Sequence, residues 1–96
     1  MSAYVIVDMD LFDPGPYEDY KAKAPAIVAR HGGSYLVRGG DISVEEGDWK
    51  PKRIVVLSFP DRAAAQAFFD DPDYAPLKAI RQRVATSRVI IVDGVA

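Results

Sequence analysis

Three segments of this chain, Tyr4–Val7, Ile54–Leu57 and Val89–Val92, are apolar on both of their alternating sets of side chains. Successive residues of a strand point to opposite faces, so Tyr4 and Ile6 share one face while Val5 and Val7 share the other. The same holds for Val55 and Leu57 against Ile54 and Val56, and for Val89 and Ile91 against Ile90 and Val92. An antiparallel sheet covered by helices on one side has a polar second face. A sheet built from these segments therefore needs cover on both sides, which strongly restricts the folds open to it.

The intervening segments supply cover for one face. Asp13 suits an N-cap and Pro14 a first helical position. Beyond Tyr17, the residues Tyr20, Ala24, Ile27, Val28 and His31 recur three or four apart, the spacing of one helix face. Pro25 is expected to kink or split this helix, and Gly32-Gly33 to end it. Ser34 to Arg38 reads as a strand, with Gly39-Gly40 as a bulge or bend and Asp41 to Glu45 as its continuation. Glu46-Gly47-Asp48 is a turn, and Arg53 to Phe59 the next strand. Asp61 caps a short helix from Arg62 to Phe69. After Asp70-Asp71-Pro72-Asp73, which breaks the chain and offers a fresh cap, Tyr74, Leu77, Ile80, Arg81 and Val84 mark one side of a further helix. Ser87 to Asp93 closes the chain as a strand.

The order β-α-β-β-α-β, its second helical region in two pieces, is that of an α+β ferredoxin-like domain over residues 1–96, with an antiparallel sheet and helices on one face. The open face then calls for a second sheet, and another copy of the chain is the economical source. The expectation is a homodimer whose sheets pack face to face.

The residues Gly32-Gly33-Ser34-Tyr35-Leu36-Val37-Arg38-Gly39-Gly40, Glu46-Gly47-Asp48-Trp49-Lys50-Pro51-Lys52-Arg53 and Phe59-Pro60 resemble the domain of unknown function family thirteen-thirty. Tyr74, Pro76-Leu77-Lys78, Arg81 and Asp93-Gly94 continue the likeness, which covers nearly the whole chain. The resemblance implies a dimeric α/β barrel, in the superfamily of antibiotic-biosynthesis monooxygenases and muconolactone isomerases. It implies no reaction.

Composition narrows the chemistry. The chain has no cysteine, which excludes disulfides, thiolate nucleophiles and cysteine-held metal, and its one histidine excludes a multi-histidine site within one chain. No metal or cofactor is expected. A net charge of −2 argues against nucleic acid as a partner. RNA-recognition motifs share the element order, but Arg53 to Phe59 carries no internal aromatic platform. The aliphatic runs are too short to span a membrane, and the first residues lack the pattern of a signal peptide. A cytoplasmic location is the expectation.

Candidate ligand-binding residues gather between His31 and Arg53. Arg38 and Arg53 stand at the ends of neighbouring strands and together can fork onto a carboxylate, phosphate or enolate oxygen. Trp49 sits in a turn, where its ring lids a pocket or packs on a partner. Tyr35 offers a hydroxyl, as do Tyr17, Tyr20 and Tyr74, which otherwise read as core or interface. His31 is the weak candidate for a catalytic base and needs an orienting partner such as Asp41 or Glu46; otherwise it is a helix-end histidine. Asp8, a carboxylate within an apolar strand, calls for an arginine partner. Ser87 has no triad behind it, Gly39-Gly40 matches no phosphate-binding fingerprint, and Lys50, Lys52 and Arg53 read most simply as a solvated turn face. These features fit a protein that binds a small acidic or aromatic molecule at a mouth formed by Arg38, Arg53, Trp49, Tyr35 and His31. It would act as a binder or as a cofactor-independent enzyme. The alternative is a non-catalytic dimerisation or interaction module.

Overall fold

A computed structural model describes residues 1–96. The elements follow the order β1 (Ala3–Leu11), α1 (Pro14–Arg30), β2 (Ser34–Arg38), β3 (Arg53–Phe59), α2 (Arg62–Asp70), α3 (Ala75–Val84) and β4 (Ala85–Asp93). The strands form one antiparallel sheet in the order β2-β3-β1-β4. This is the α+β, ferredoxin-like arrangement expected from the sequence.

β1 lies at the centre, with Val5 opposite Leu57 on β3 and Ile91 on β4. Its burial alternates: Ala3, Val5, Val7 and Met9 are buried beneath the helices, while Tyr4, Ile6 and Asp8 remain partly exposed on the other side. Val55, Leu57 and Phe59 continue the buried face. The helices bring Tyr17, Ala24, Ile27 and Val28 from α1, Ala65 and Phe68 from α2, and Leu77, Arg81 and Val84 from α3. At the centre of this layer, the rings of Phe68 and Tyr74 stand 4.3 Å apart. Truncating a buried phenylalanine of this kind typically costs about 3–5 kcal/mol.

The helix ends are fixed locally. Asp61 accepts from the Ala64 main-chain N–H at 2.8 Å, capping α2 as expected. At the end of α1, Gly32 (φ 76°) donates to Ala29 and Gly33 donates to Val28, which satisfies carbonyls the helix would leave open.

Three local expectations are corrected. α1 runs through Pro25 as one helix from Pro14 to Arg30. One missing N–H is a loss that packing of the helix on both sides of it outweighs. Residues 41–45 form no strand, because β3 begins at Arg53, level with Gly39-Gly40 in the register, and offers no strand beyond it to pair with. β2 carries a bulge at Leu36, between Tyr35 and Val37, and the chain bends at Gly39, φ 73°, as expected. No side chain of the break at residues 70–73 caps α3: its N-cap residue is Tyr74, and Asp71 takes the Asp73 main-chain N–H instead.

The second face of the sheet is open and apolar. Tyr4, Ile6, Ile54, Val56, Val92 and Ile90 lie on it, Ile90 being 56% exposed. Asp8 also stands there, opposite Arg88 on β4, whose Nε is 3.7 Å from Asp8 Oδ2. The arginine partner expected for this carboxylate is thus in place.

Candidate functional site

Between the sheet and the helices lies a narrow cavity of about 30 Å³. That is room for a water or two. Val5, Val7, Val55, Leu57, Phe68 and Val89 give it apolar walls. Its polar lining is Tyr17, Tyr20, Lys21, Tyr35, Arg38, Arg53, Tyr74 and Arg81, with no carboxylate among them. Guanidinium groups bordering an apolar space without a counter-charge favour an anion there.

Two of these arginines come from β2 and β3, which pair as neighbours. Strict alternation from Tyr35 would send Arg38 to the opposite face. The bulge inserts one residue, so Val37 stands with Val56 on the open face and Arg38 with Val55 on the cavity face. The Arg38 guanidinium carbon then lies 4.8 Å from the centre of the Tyr35 ring, and its Nη2 donates to the Lys21 main-chain oxygen at 3.1 Å. Pro25 is the reason that oxygen is free, because a helical carbonyl ordinarily accepts from the N–H four residues later and proline has none. Arg53 lies 5.8 Å over the Tyr17 ring, and its buried Nε has no partner in the protein.

The tyrosines are shaped by burial. Tyr17 and Tyr20 stack with centroids 5.2 Å apart, and the Tyr20 and Tyr74 hydroxyls share a hydrogen bond of 2.8 Å. Burial, reinforced by the neighbouring Tyr74, pushes the Tyr20 phenol far above its ordinary range. Burial also raises the Tyr35 phenol, with the Arg38 charge acting in the opposite direction.

Of the residues singled out in the sequence, Tyr35, Arg38 and Arg53 therefore converge, and the other two stand elsewhere. Trp49 is on the far side of the sheet, where its Nε1 donates to Asp8 Oδ2 at 3.0 Å beside Ile6 and Ile90. It does not lid this cavity, because the turn that carries it folds towards the open face. His31 stands at the end of α1, its Nε2 2.8 Å from Asp71 Oδ2 and its ring edge-on to Phe68. Its partner is Asp71 rather than Asp41 or Glu46, since the segment before α3 returns beside the end of α1. Arg30 donates to Asp71 and Asp73 in the same cluster. The His31 hydrogen bond and the Asp73 main-chain N–H hold the Asp71 carboxyl down to about 2. The cluster clamps the end of α1 to the segment before α3, and none of its four residues lines the cavity.

Sequence reasoning missed Arg81 and Lys21. A signal for Arg81 was present: its spacing places a charge on the same side of α3 as Tyr74, Leu77, Ile80 and Val84. A charged residue on an apolar stripe is either paired or poised for something absent. Lys21 gave no comparable sign.

The chain belongs to the family described as "Domain of unknown function (DUF1330)", whose model matches residues 2–95. No protein with a curated description matches it. Among solved structures it is similar to a protein of unknown function from Rhodopseudomonas palustris, RPA0582, at 20% identity and a TM-score of 0.77, over 99% of this chain and 83% of that one. It is similar to SnoaB, a cofactor-independent oxygenase from Streptomyces nogalater, at 16% identity and a TM-score of 0.70, over 99% and 94% of the two chains. A dimeric ferredoxin-like protein of unknown function from Jannaschia sp. CCS1 aligns at 16% identity and a TM-score of 0.69, over 98% of this chain and all (100%) of that one. At these identities the likeness establishes the fold. No helix of the chain is long and apolar enough to cross a membrane.

Proposed function

We propose that this chain is a cytoplasmic homodimer that binds a small organic molecule, acidic or aromatic, in the cavity between its sheet and its helices. The observation that carries this reading is the lining: Arg38, Arg53, Arg81 and Lys21 border an apolar space that holds no carboxylate. Tyr35 and Tyr17 offer ring faces, and Arg38 and Arg53 supply a planar cationic mouth. The cavity as it stands has room for no more than a water or two, so a ring enters only when the side chains at the mouth move apart. Lys21, Tyr35, Arg38 and Arg53, all partly exposed, are the groups free to do so.

The apolar open face supports the homodimer, since Ile6, Ile54, Val56 and Ile90 are stabilised by a second sheet and by little else. The dimeric neighbour from Jannaschia has the same fold. If the ligand is turned over, the fold likeness to a cofactor-independent oxygenase favours proton removal from an activated ring or its oxygenation. The second reading, a non-catalytic dimerisation module, draws on the narrowness of the cavity and on Trp49 standing on the open face.

Native mass spectrometry of protein purified from its own host, compared under gentle and denaturing conditions, tests both readings. The expected result is a dimer that carries a reproducible small-molecule mass, lost in Arg38→Ala and Arg53→Ala. A ligand-free dimer that also ignores added aromatic acids would move the assignment to the interaction module. A monomer would overturn the homodimer.

A further inference from the structure

Arg81 is the single charged residue of the buried core, 6% exposed. The arginine ion pairs belong to Arg30, Arg62 and Arg88, and the arginine hydrogen bonds to Arg30, Arg38 and Arg62. Arg81 thus has no ion pair and no hydrogen bond within the protein, although its nitrogens are not sealed from solvent, and a largely buried guanidinium without an acceptor favours an anion. It is also shared between two spaces: with Phe69 and Val89 it lines both the cavity and the groove outside the β4 edge.

A second unfilled valence lies in the same lining. The Tyr20 and Tyr74 hydroxyls are 2.8 Å apart and bond to each other only. Each carries one hydrogen, and one bond between them uses one. The other hydrogen has no acceptor in the protein. Tyr74 is 1% exposed, so when Tyr20 donates to Tyr74 the spare hydrogen, then on Tyr74, does not reach bulk water. Burial keeps the Tyr20 phenol protonated, so the pair remains a donor, and the Arg81 charge is near enough to act on that phenol.

We propose that Arg81 and the Tyr20–Tyr74 hydroxyl pair form an oxyanion receptacle in the deeper part of the cavity, and that the ligand is a flat ring bearing one oxyanion. The oxyanion, a carboxylate or an ionised ring hydroxyl, accepts from the guanidinium and from the spare hydroxyl hydrogen. The ring lies among Val5, Val55, Leu57 and Phe68. A phosphate ester fits worse, since most of its oxygens would meet these aliphatic and aromatic walls without a donor. This rests on the reading that the cavity takes a small organic ligand, and it moves the anchor from the exposed mouth to a buried charge.

Isothermal titration of the full chain with 2-naphthoate and its uncharged isostere 2-naphthamide tests the proposal. Naphthoate is expected to bind about tenfold tighter or more. Arg81→Gln is expected to bring naphthoate affinity down to that of naphthamide, while Arg81→Lys retains part of the preference. Tyr20→Phe removes a single oxygen from a folded helix and is expected to lower naphthoate affinity several-fold; it decides the matter if Arg81→Gln does not fold. Equal binding of the two probes by the parent protein, or an undiminished preference in the folded variants, would overturn the receptacle and leave the cavity as a binding site. Failure of benzoate, naphthoate and naphthamide alike to bind at millimolar concentration would overturn the cavity reading, and the receptacle with it.

Discussion

Arg38 donates through Nη2 to the main-chain oxygen of Lys21, and the distance is 3.1 Å. The contact joins the edge strand of the sheet to the middle of α1 at the mouth of the cavity. It exists because Pro25 withholds the N–H that would otherwise occupy that oxygen. A residue that looks like a helix breaker in the sequence thus positions a cavity arginine.

Pro25→Ala should return the Lys21 carbonyl to the helix. A proline inside a helix costs about 3 kcal/mol, while losing its restraint on the unfolded chain costs only about 1 kcal/mol. The variant is expected to melt higher, and the Arg38 side-chain N–H signals to exchange faster with solvent in NMR spectra. Unchanged Arg38 exchange would show that the guanidinium is held by Tyr35 alone.

Gly39→Ala should disturb Arg53 more than the fold. Gly39 has φ 73°, where an L side chain is strained by roughly 1–2 kcal/mol. A Cβ there would also collide with the Arg53 guanidinium, the far end of a flexible side chain that can swing away. A modest fall in melting temperature is expected, with a larger loss of affinity for an aromatic acid measured by titration. A stability loss with intact binding would remove Arg53 from the site.

Ile90→Glu tests the open face. Ile90 stands opposite Ile6 on the uncovered side of the sheet and contributes nothing to the core beneath the helices. The variant is expected to keep its circular dichroism spectrum and to sediment as a monomer, since a carboxylate cannot be buried between apolar sheets without a partner. A variant that still sediments as a dimer would place the interface elsewhere.

Asp71 should mark the acid limit of the fold. Its carboxyl is held at about 2 in the folded chain against an ordinary 3.8. The folded value is the lower, so the stabilisation is complete above 3.8 and is lost as pH falls towards 2. His31→Ala removes the largest cause of that depression. The carboxyl should then titrate higher in a carbon-13 NMR experiment, and the acid-unfolding midpoint should move up. An unmoved Asp71 titration would assign the depression to Asp73 and Arg30.

Much of this protein was legible one residue at a time. Period-two and period-three-to-four patterns mark β1, β3, β4 and the buried faces of α1 and α3, because burial repeats with the geometry of each element. The Gly32-Gly33 stop and the Asp61 cap are likewise local, since their hydrogen bonds close within a few residues. The two apolar sheet faces announced an open side before any packing was known. That Arg38 and Arg53 stand on neighbouring strands was also legible, because β2 and β3 form an antiparallel pair.

What tertiary structure decided is which side of the sheet each polar group serves. A single extra residue at Leu36 inverts the alternation, so Arg38 reaches the cavity and Val37 the open face. The turn before β3 carries Trp49 to Asp8 on the opposite side, and the segment before α3 brings Asp71 to His31. Arg81 shows its meaning only when it is seen to make no ion pair or hydrogen bond and to line a cavity without a carboxylate. Secondary structure follows from backbone geometry and apolar spacing, which a sequence contains. The facing of a polar side chain depends on which distant segment packs against it, and only the folded chain settles that.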